Sequence, residues 1–123
     1  MSKVDKTILL VDDDQIFLTL AEIAIKKVEG EVMIYKTLNG EEALEFLKRN
    51  DIDLIFLDLN MPVMNGWELL DELLEKKELE QKIFVLTSSI DPGDKRKASE
   101  HPLVHSMIEK PLDSTKVSLA LGA

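Results

Sequence analysis

The chain has 123 residues, 45% of them apolar, a formal net charge of −9 and no cysteine. These values exclude a disordered chain, a disulfide or thiolate-metal scaffold and a basic nucleic-acid face, and the length fits one domain over residues 1–123. No apolar run approaches the roughly 20 residues that span a bilayer, and Met1-Ser2-Lys3-Val4-Asp5 lacks the pattern of a signal peptide, so a soluble, cytoplasmic domain without membrane contact is expected.

Strand-like and helix-like segments alternate from start to finish. Thr7-Ile8-Leu9-Leu10-Val11 is a short apolar run that suits a strand buried on both faces. From about Asp14 the pattern turns helical, with Phe17, Leu20, Ala21 and Ala24 predicted inward and Gly30 as the stop. Val32 to Lys36 reads as a second strand. Asn39-Gly40-Glu41-Glu42 has the form of a capping box, and places Ala43, Phe46 and Leu47 on one face of the following helix. Asp53-Leu54-Ile55-Phe56-Leu57 is the third and most apolar strand. Asn60-Met61-Pro62 is a loop, because proline fixes its own φ and restricts the residue before it.

A third helix is predicted from about Asn65, with Leu69, Leu70, Leu73 and Leu74 inward. Lys82-Ile83-Phe84-Val85-Leu86 is the fourth strand. Asp91-Pro92 reads as a cap followed by proline in the first helical turn. The polar stretch after it, with Lys95-Arg96-Lys97, reads as a solvated helix face. Val104 to Glu109 is a fifth strand, and Asp113 caps a short last helix. Five βα units with short connections predict a doubly wound parallel sheet with helices on both faces, and ligands in such sheets bind beyond the carboxyl ends of the strands.

Those ends carry chemistry. The first strand runs into Asp12-Asp13-Asp14, the third ends in Asp58, the fourth in Thr87-Ser88-Ser89 and the fifth in Lys110-Pro111. Taken singly, each has a bland explanation: an Asp after a strand caps the next helix, as expected of Asp14, and a Thr bonds its own backbone. Together they form a carboxylate cluster with one hydroxyl and one lysine. The carboxylates of Asp12, Asp13 and Asp58 repel one another unless a cation or raised pKa values relieve the strain. A hard divalent ion such as Mg²⁺ does so, after which one carboxylate can attack phosphorus while Lys110 and Thr87 hold phosphoryl oxygens.

These residues resemble the receiver domain of two-component response regulators, in its single-domain, chemotaxis-regulator-like form, over essentially the whole chain. The matching runs are Ile8-Leu9-Leu10-Val11-Asp12-Asp13-Asp14, Leu57-Asp58-Leu59-Asn60-Met61-Pro62-Val63-Met64-Asn65-Gly66, Val85-Leu86-Thr87-Ser88-Ser89 and Glu109-Lys110-Pro111-Leu112. The resemblance implies a flavodoxin-like five-stranded sheet of order 2-1-3-4-5. It implies Asp58 as phospho-acceptor from a histidine kinase or phosphotransfer protein, in a switch that is not an enzyme. It also implies Mg²⁺ (or Mn²⁺) on Asp12, Asp13, Asp58 and the backbone carbonyl of Asn60, Thr87 as the switch hydroxyl, Lys110 as the phosphate contact, and a cis Lys110–Pro111 bond. Asn60 and Ser89 stand where the family controls access of water to the phospho-form. Neither is acidic, so a phospho-form of moderate to long life is expected.

One position departs from the pattern. Where the family carries Tyr or Phe three residues before the lysine, this chain has Met107, which has neither ring nor hydroxyl. Trp67 and Met64, after the acceptor loop, are predicted to pack internally. A haloacid-dehalogenase-like phosphatase shares the strand-end Asp but needs a second acid where Asn60 stands. A flavodoxin-type cofactor binder would set a phosphate against Asp12-Asp13-Asp14. A phosphate relay or sink, a receiver excised from a larger protein, and a stand-alone receiver acting through a downstream protein partner stay open.

Overall fold

Strands and helices alternate without exception in the computed structural model, which describes residues 6–61, 63–75, 81–88 and 90–122. The order is β1 (Lys6–Val11), α1 (Gln15–Val28), β2 (Val32–Thr37), α2 (Gly40–Leu47), β3 (Leu54–Asp58), α3 (Gly66–Leu74), β4 (Lys82–Thr87), α4 (Pro92–Glu100), β5 (Val104–Glu109) and α5 (Ser114–Gly122). The five strands form one parallel sheet, as the sequence predicts, in the order β2-β1-β3-β4-β5 that the resemblance implies. Pro62 and Ser89 lie outside the described residues.

The two faces of the sheet sort the apolar residues by strand alternation. Ile8, Leu10, Phe56 and Phe84 pack with Leu18 and Ile25 of α1 and Val117 of α5. Leu9, Val11, Ile55, Leu57 and Val85 pack on the opposite face with Leu69, Leu70 and Leu73 of α3. Because both faces are covered, β3 is buried along its whole length, which is why its sequence is continuously apolar. Each buried Leu, Ile or Phe contributes on the order of 2 kcal/mol relative to exposure, so the central strands fix the frame on which their end residues sit.

The helix starts follow the sequence closely. Asp14 accepts from Ile16 N and Phe17 N, Asn39 from Glu42 N, Asn65 from Glu68 N in a full capping box, Asp91 from Gly93 N and Asp94 N, and Asp113 from Lys116 N. The box predicted at Asn39 is only half formed, because Glu42 reaches back to Leu38 N instead. Three further expectations are corrected. Leu20 is 60% exposed and shares the outer face of α1 with Ile16 and Ile23, so aliphatic residues on both sides blur its phase. Leu74 is 39% exposed at the end of α3. The stop at Gly30 is corrected only in kind: α1 does end just before it, but on Glu29 in an extended conformation, and no described glycine has positive φ.

β5 is irregular. Ile83 pairs with Val104 and Phe84 with Ser106, so His105 is an extra residue in a β-bulge, its ring 5.0 Å from that of Phe84. Among the described residues no helix is long and apolar enough to cross a membrane.

Candidate functional site

Register brings the strand ends to one place. β1 and β3 pair through Val11↔Leu57, β3 and β4 through Asp58↔Leu86, and β4 and β5 through Thr87↔Glu109. Asp12, Asp58 and Lys110, distant in sequence, therefore meet at the carboxyl edge of the sheet. Asp12 and Asp58 are only 1% and 4% exposed, whereas Asp13 is exposed at the rim. One carboxylate oxygen from each of Asp12, Asp13 and Asp58 lies within 4.8 Å of the other two, which is close enough for all three to share a cation.

Each buried carboxylate is oriented by backbone. Asp12 donates its N–H to Thr37 O at 3.1 Å, and its Oδ1 accepts from Asp14 N at 2.8 Å. Asp58 Oδ1 accepts from Asn60 N at 3.3 Å. Lys110 Nζ lies 2.7 Å from Asp12 Oδ2 and 3.7 Å from Asp58 Oδ1, so in this state the lysine sits mainly on Asp12. The close approach is an ion pair without hydrogen-bond alignment, which leaves Asp12 Oδ2 buried with no aligned donor. The ammonium also sits 4.3 Å from the ring centre of Phe17, a cation–π contact the sequence pattern hid by marking Phe17 as an inward helix residue.

Asp58 is electrostatically stressed. Burial raises its pKa from 3.8 to about 6, and the negative charge of Asp12 adds to the rise; Lys110 and the Asn60 N–H act in the opposite direction. Thr87, 2% exposed, ends β4, and its carbonyl accepts from Lys110 N at 2.8 Å, which ties the β5 exit to the β4 end. The Lys110–Pro111 bond is cis, as the resemblance implies.

Two glycines that composition alone leaves silent shape the site. A Cβ on Gly66 would stand 2.6 Å from Asp58 O and 2.9 Å from Leu59 Cα, so the first turn of α3 lies directly on the backbone of Asp58. Gly66 N donates to Leu59 O at 3.1 Å. A Cβ on Gly40 would stand 2.6 Å from Met64 O, so α2 also abuts the β3–α3 loop. Within that loop Val63 is held at φ 71°, where L side chains, and β-branched ones above all, are disfavoured. Met107 is half-buried and lines a cleft of about 400 Å³ between α4 and β5. Met64 and Trp67 are half-buried against the core beside α3, as predicted.

A family model described as the response regulator receiver domain matches residues 8–121. The chain belongs to the response regulator receiver family. This receiver is 30% identical over 116 residues to the autoinducer 1 sensor kinase/phosphatase LuxN of Vibrio campbellii (strain ATCC BAA-1116), covering 94% of the chain and 13% of that protein. It is 34% identical over 112 residues to the two-component response regulator ARR22 of Arabidopsis thaliana, covering 89% of the chain and 77% of that protein. The receiver thus spans only about an eighth of LuxN and most of the plant regulator. Among solved structures, a two component response regulator from Cytophaga hutchinsonii superposes with a TM-score of 0.85 at 29% identity, over 98% of this chain and 96% of that one. A receiver is a two-component signalling domain and not a conventional turnover enzyme, and its acidic pocket of Asp12, Asp13 and Asp58 is consistent with phosphorylation and Mg²⁺ binding.

Proposed function

We propose that this receiver, as one cytoplasmic unit over residues 1–123, takes a phosphoryl group onto Asp58 from a phosphohistidine of a histidine kinase or phosphotransfer protein. It then acts on a downstream protein through partner contacts. The observation that carries this reading is the convergence of buried Asp58 with Asp12, Asp13 and Lys110 at one sheet edge. In the step, an Asp58 carboxylate oxygen forms the new O–P bond while the N–P bond of the donor breaks, its electron pair returning to the imidazole. With a pKa of about 6, Asp58 is mostly ionised at neutral pH and available as nucleophile.

The residues fit a hard divalent ion. All the side-chain donors are carboxylate oxygens, they lie within 4.8 Å of one another, and Asp12 Oδ2 is buried without an aligned hydrogen-bond donor. Asp12, Asp13, Asp58 and the backbone carbonyl of Asn60 would hold Mg²⁺ or Mn²⁺. When bound, the ion supplies positive charge that offsets the carboxylates and the phosphoryl oxygens. Lys110, already within 3.7 Å of Asp58, supplies a second cation to the phosphoryl group, and the Thr87 hydroxyl a hydrogen bond. Asn60 gives no general acid for a phosphatase cycle, and with Ser89 it supplies no strong built-in base for water at the acyl phosphate, which favours a phospho-form of moderate to long life.

Intact-mass measurement after incubation with acetyl phosphate tests the proposal. The native chain gains one phosphoryl group only with Mg²⁺ present, and Asp58→Asn gains none. An equal gain in Asp58→Asn overturns the assignment.

A further inference from the structure

α4 is an unusual helix for a packed domain. Of its nine residues only Ala98 is buried, and beneath it lies the cleft lined by Lys95, Ala98 and Ser99 on one side and Val104 and Met107 on the other. Apolar burial therefore does little to fix its position. The helix rests on β5 through Ala98, and two polar contacts reach from its end to α3. Lys97 Nζ lies 4.6 Å from the ring centre of Trp67, and His101 Nε2 lies 3.4 Å from Asp71 Oδ1.

Both contacts recur at a four-residue spacing on each helix, Trp67 and Asp71 on α3 against Lys97 and His101 at the end of α4. One contact would act as a pivot; two, a turn apart, fix rotation as well as distance. His101 is oriented further, because its Nδ1 accepts from Leu103 N at 3.2 Å, which assigns the proton of the neutral ring to Nε2, facing Asp71. The lower contact is thereby joined to the turn that leads into β5 and Met107.

The α3 end is joined just as directly to the acceptor. Gly66 rests on the carbonyl of Asp58 with no room for a methyl group, and Trp67 is the next residue. We propose that Trp67–Lys97 and Asp71–His101 form a two-point clasp through which occupancy of Asp58 repositions α4 over the Met107 cleft. The inference rests on Asp58 being the acceptor. It gives this receiver a route from acceptor to output side that needs no aromatic ring at position 107.

The test uses Mg²⁺ with beryllium fluoride, a phosphoryl-like group that adds to carboxylates, and two readouts. Fluorine resonance reports the bound adduct, and hydrogen exchange of amides 92–100 reports α4. In the native chain, adduct formation changes α4 exchange by about fivefold, whereas in Lys97→Met/Asp71→Ala, with each exposed contact worth about two- to fivefold in an equilibrium, the change falls below about twofold. The adduct signal is unchanged in that variant. Trp67→Leu, which removes the ring and keeps Lys97, gives the same loss of response. A full α4 response in both variants with the adduct present overturns the clasp alone. No adduct in the native chain overturns the acceptor assignment and the clasp with it.

Discussion

The carboxyl edge of the sheet and the α4 side are built on opposite principles. At the carboxyl edge the buried carboxylates of Asp12 and Asp58 are held by backbone donors, a lysine and a glycine contact that leaves no spare volume. At α4 one alanine is buried, a cleft lies below, and the contacts to α3 are made by polar side chains, Lys97 and His101. On the proposed function the contrast shows where precision is required: phosphoryl transfer to Asp58 needs atoms fixed in place, whereas an element that relays it needs two positions of similar free energy.

The sharpest way to break the contrast is one substitution made in both regions. Gly66→Ala forces a methyl group against the backbone at Asp58 and Leu59, which cannot yield as a side chain can. A loss of about 3 kcal/mol in urea unfolding is expected. Gly93→Ala in α4 meets only Asp91 Oδ1 at 3.2 Å, so its effect stays within about 0.5 kcal/mol. Equal costs would show that α4 is as tightly built as the carboxyl edge.

Next in size is the stress on Asp58. Its folded-state pKa is raised from 3.8 to about 6, so folding favours the protonated acid. The stability this group contributes is full below pH 3.8 and is lost as the pH rises through about 6. In metal-free buffer near neutral pH, Asp58→Asn is therefore expected to stabilise the fold by about 2 kcal/mol, a gain that shrinks toward zero as the pH falls through this window. A pH-independent gain would mean that the stress is steric. The smallest effect concerns Val63 at φ 71°, where Asn tolerates the left-handed region better. Val63→Asn should raise stability by about 1 kcal/mol in thermal unfolding, and no change would show that the loop relaxes around valine.

Much of the frame was legible because a sheet covered on both faces needs continuous apolar strands, and those runs stand out in Leu54–Leu57 and Ile83–Leu86. Caps were legible because Asp14, Asn39, Asp91 and Asp113 act on backbone a few residues away. Most of the candidate site followed from topology, since Asp12, Asp13, Asp58, Thr87 and Lys110 lay at or just beyond strand ends, while Asn60 came from the resemblance. The site's internal pairing did not: that Lys110 rests on Asp12, and under Phe17, depends on side-chain positions contributed by three separate elements. The phase of α1 misled for a local reason, because Ile16, Leu20 and Ile23 place aliphatic groups where solvent lies. Nor does any residue type announce the positive φ of Val63 or the extra residue at His105.

That extra residue reaches beyond its own strand. β5 is the last strand of the sheet, and an unpaired row of N–H and C=O groups along such a strand is a template on which a foreign chain can be laid down. The insertion at His105 interrupts the even spacing of that row partway along, so an added strand could keep step on one side of the break but not across it. On this edge of the sheet, the break shortens the stretch over which a second chain could pair in register.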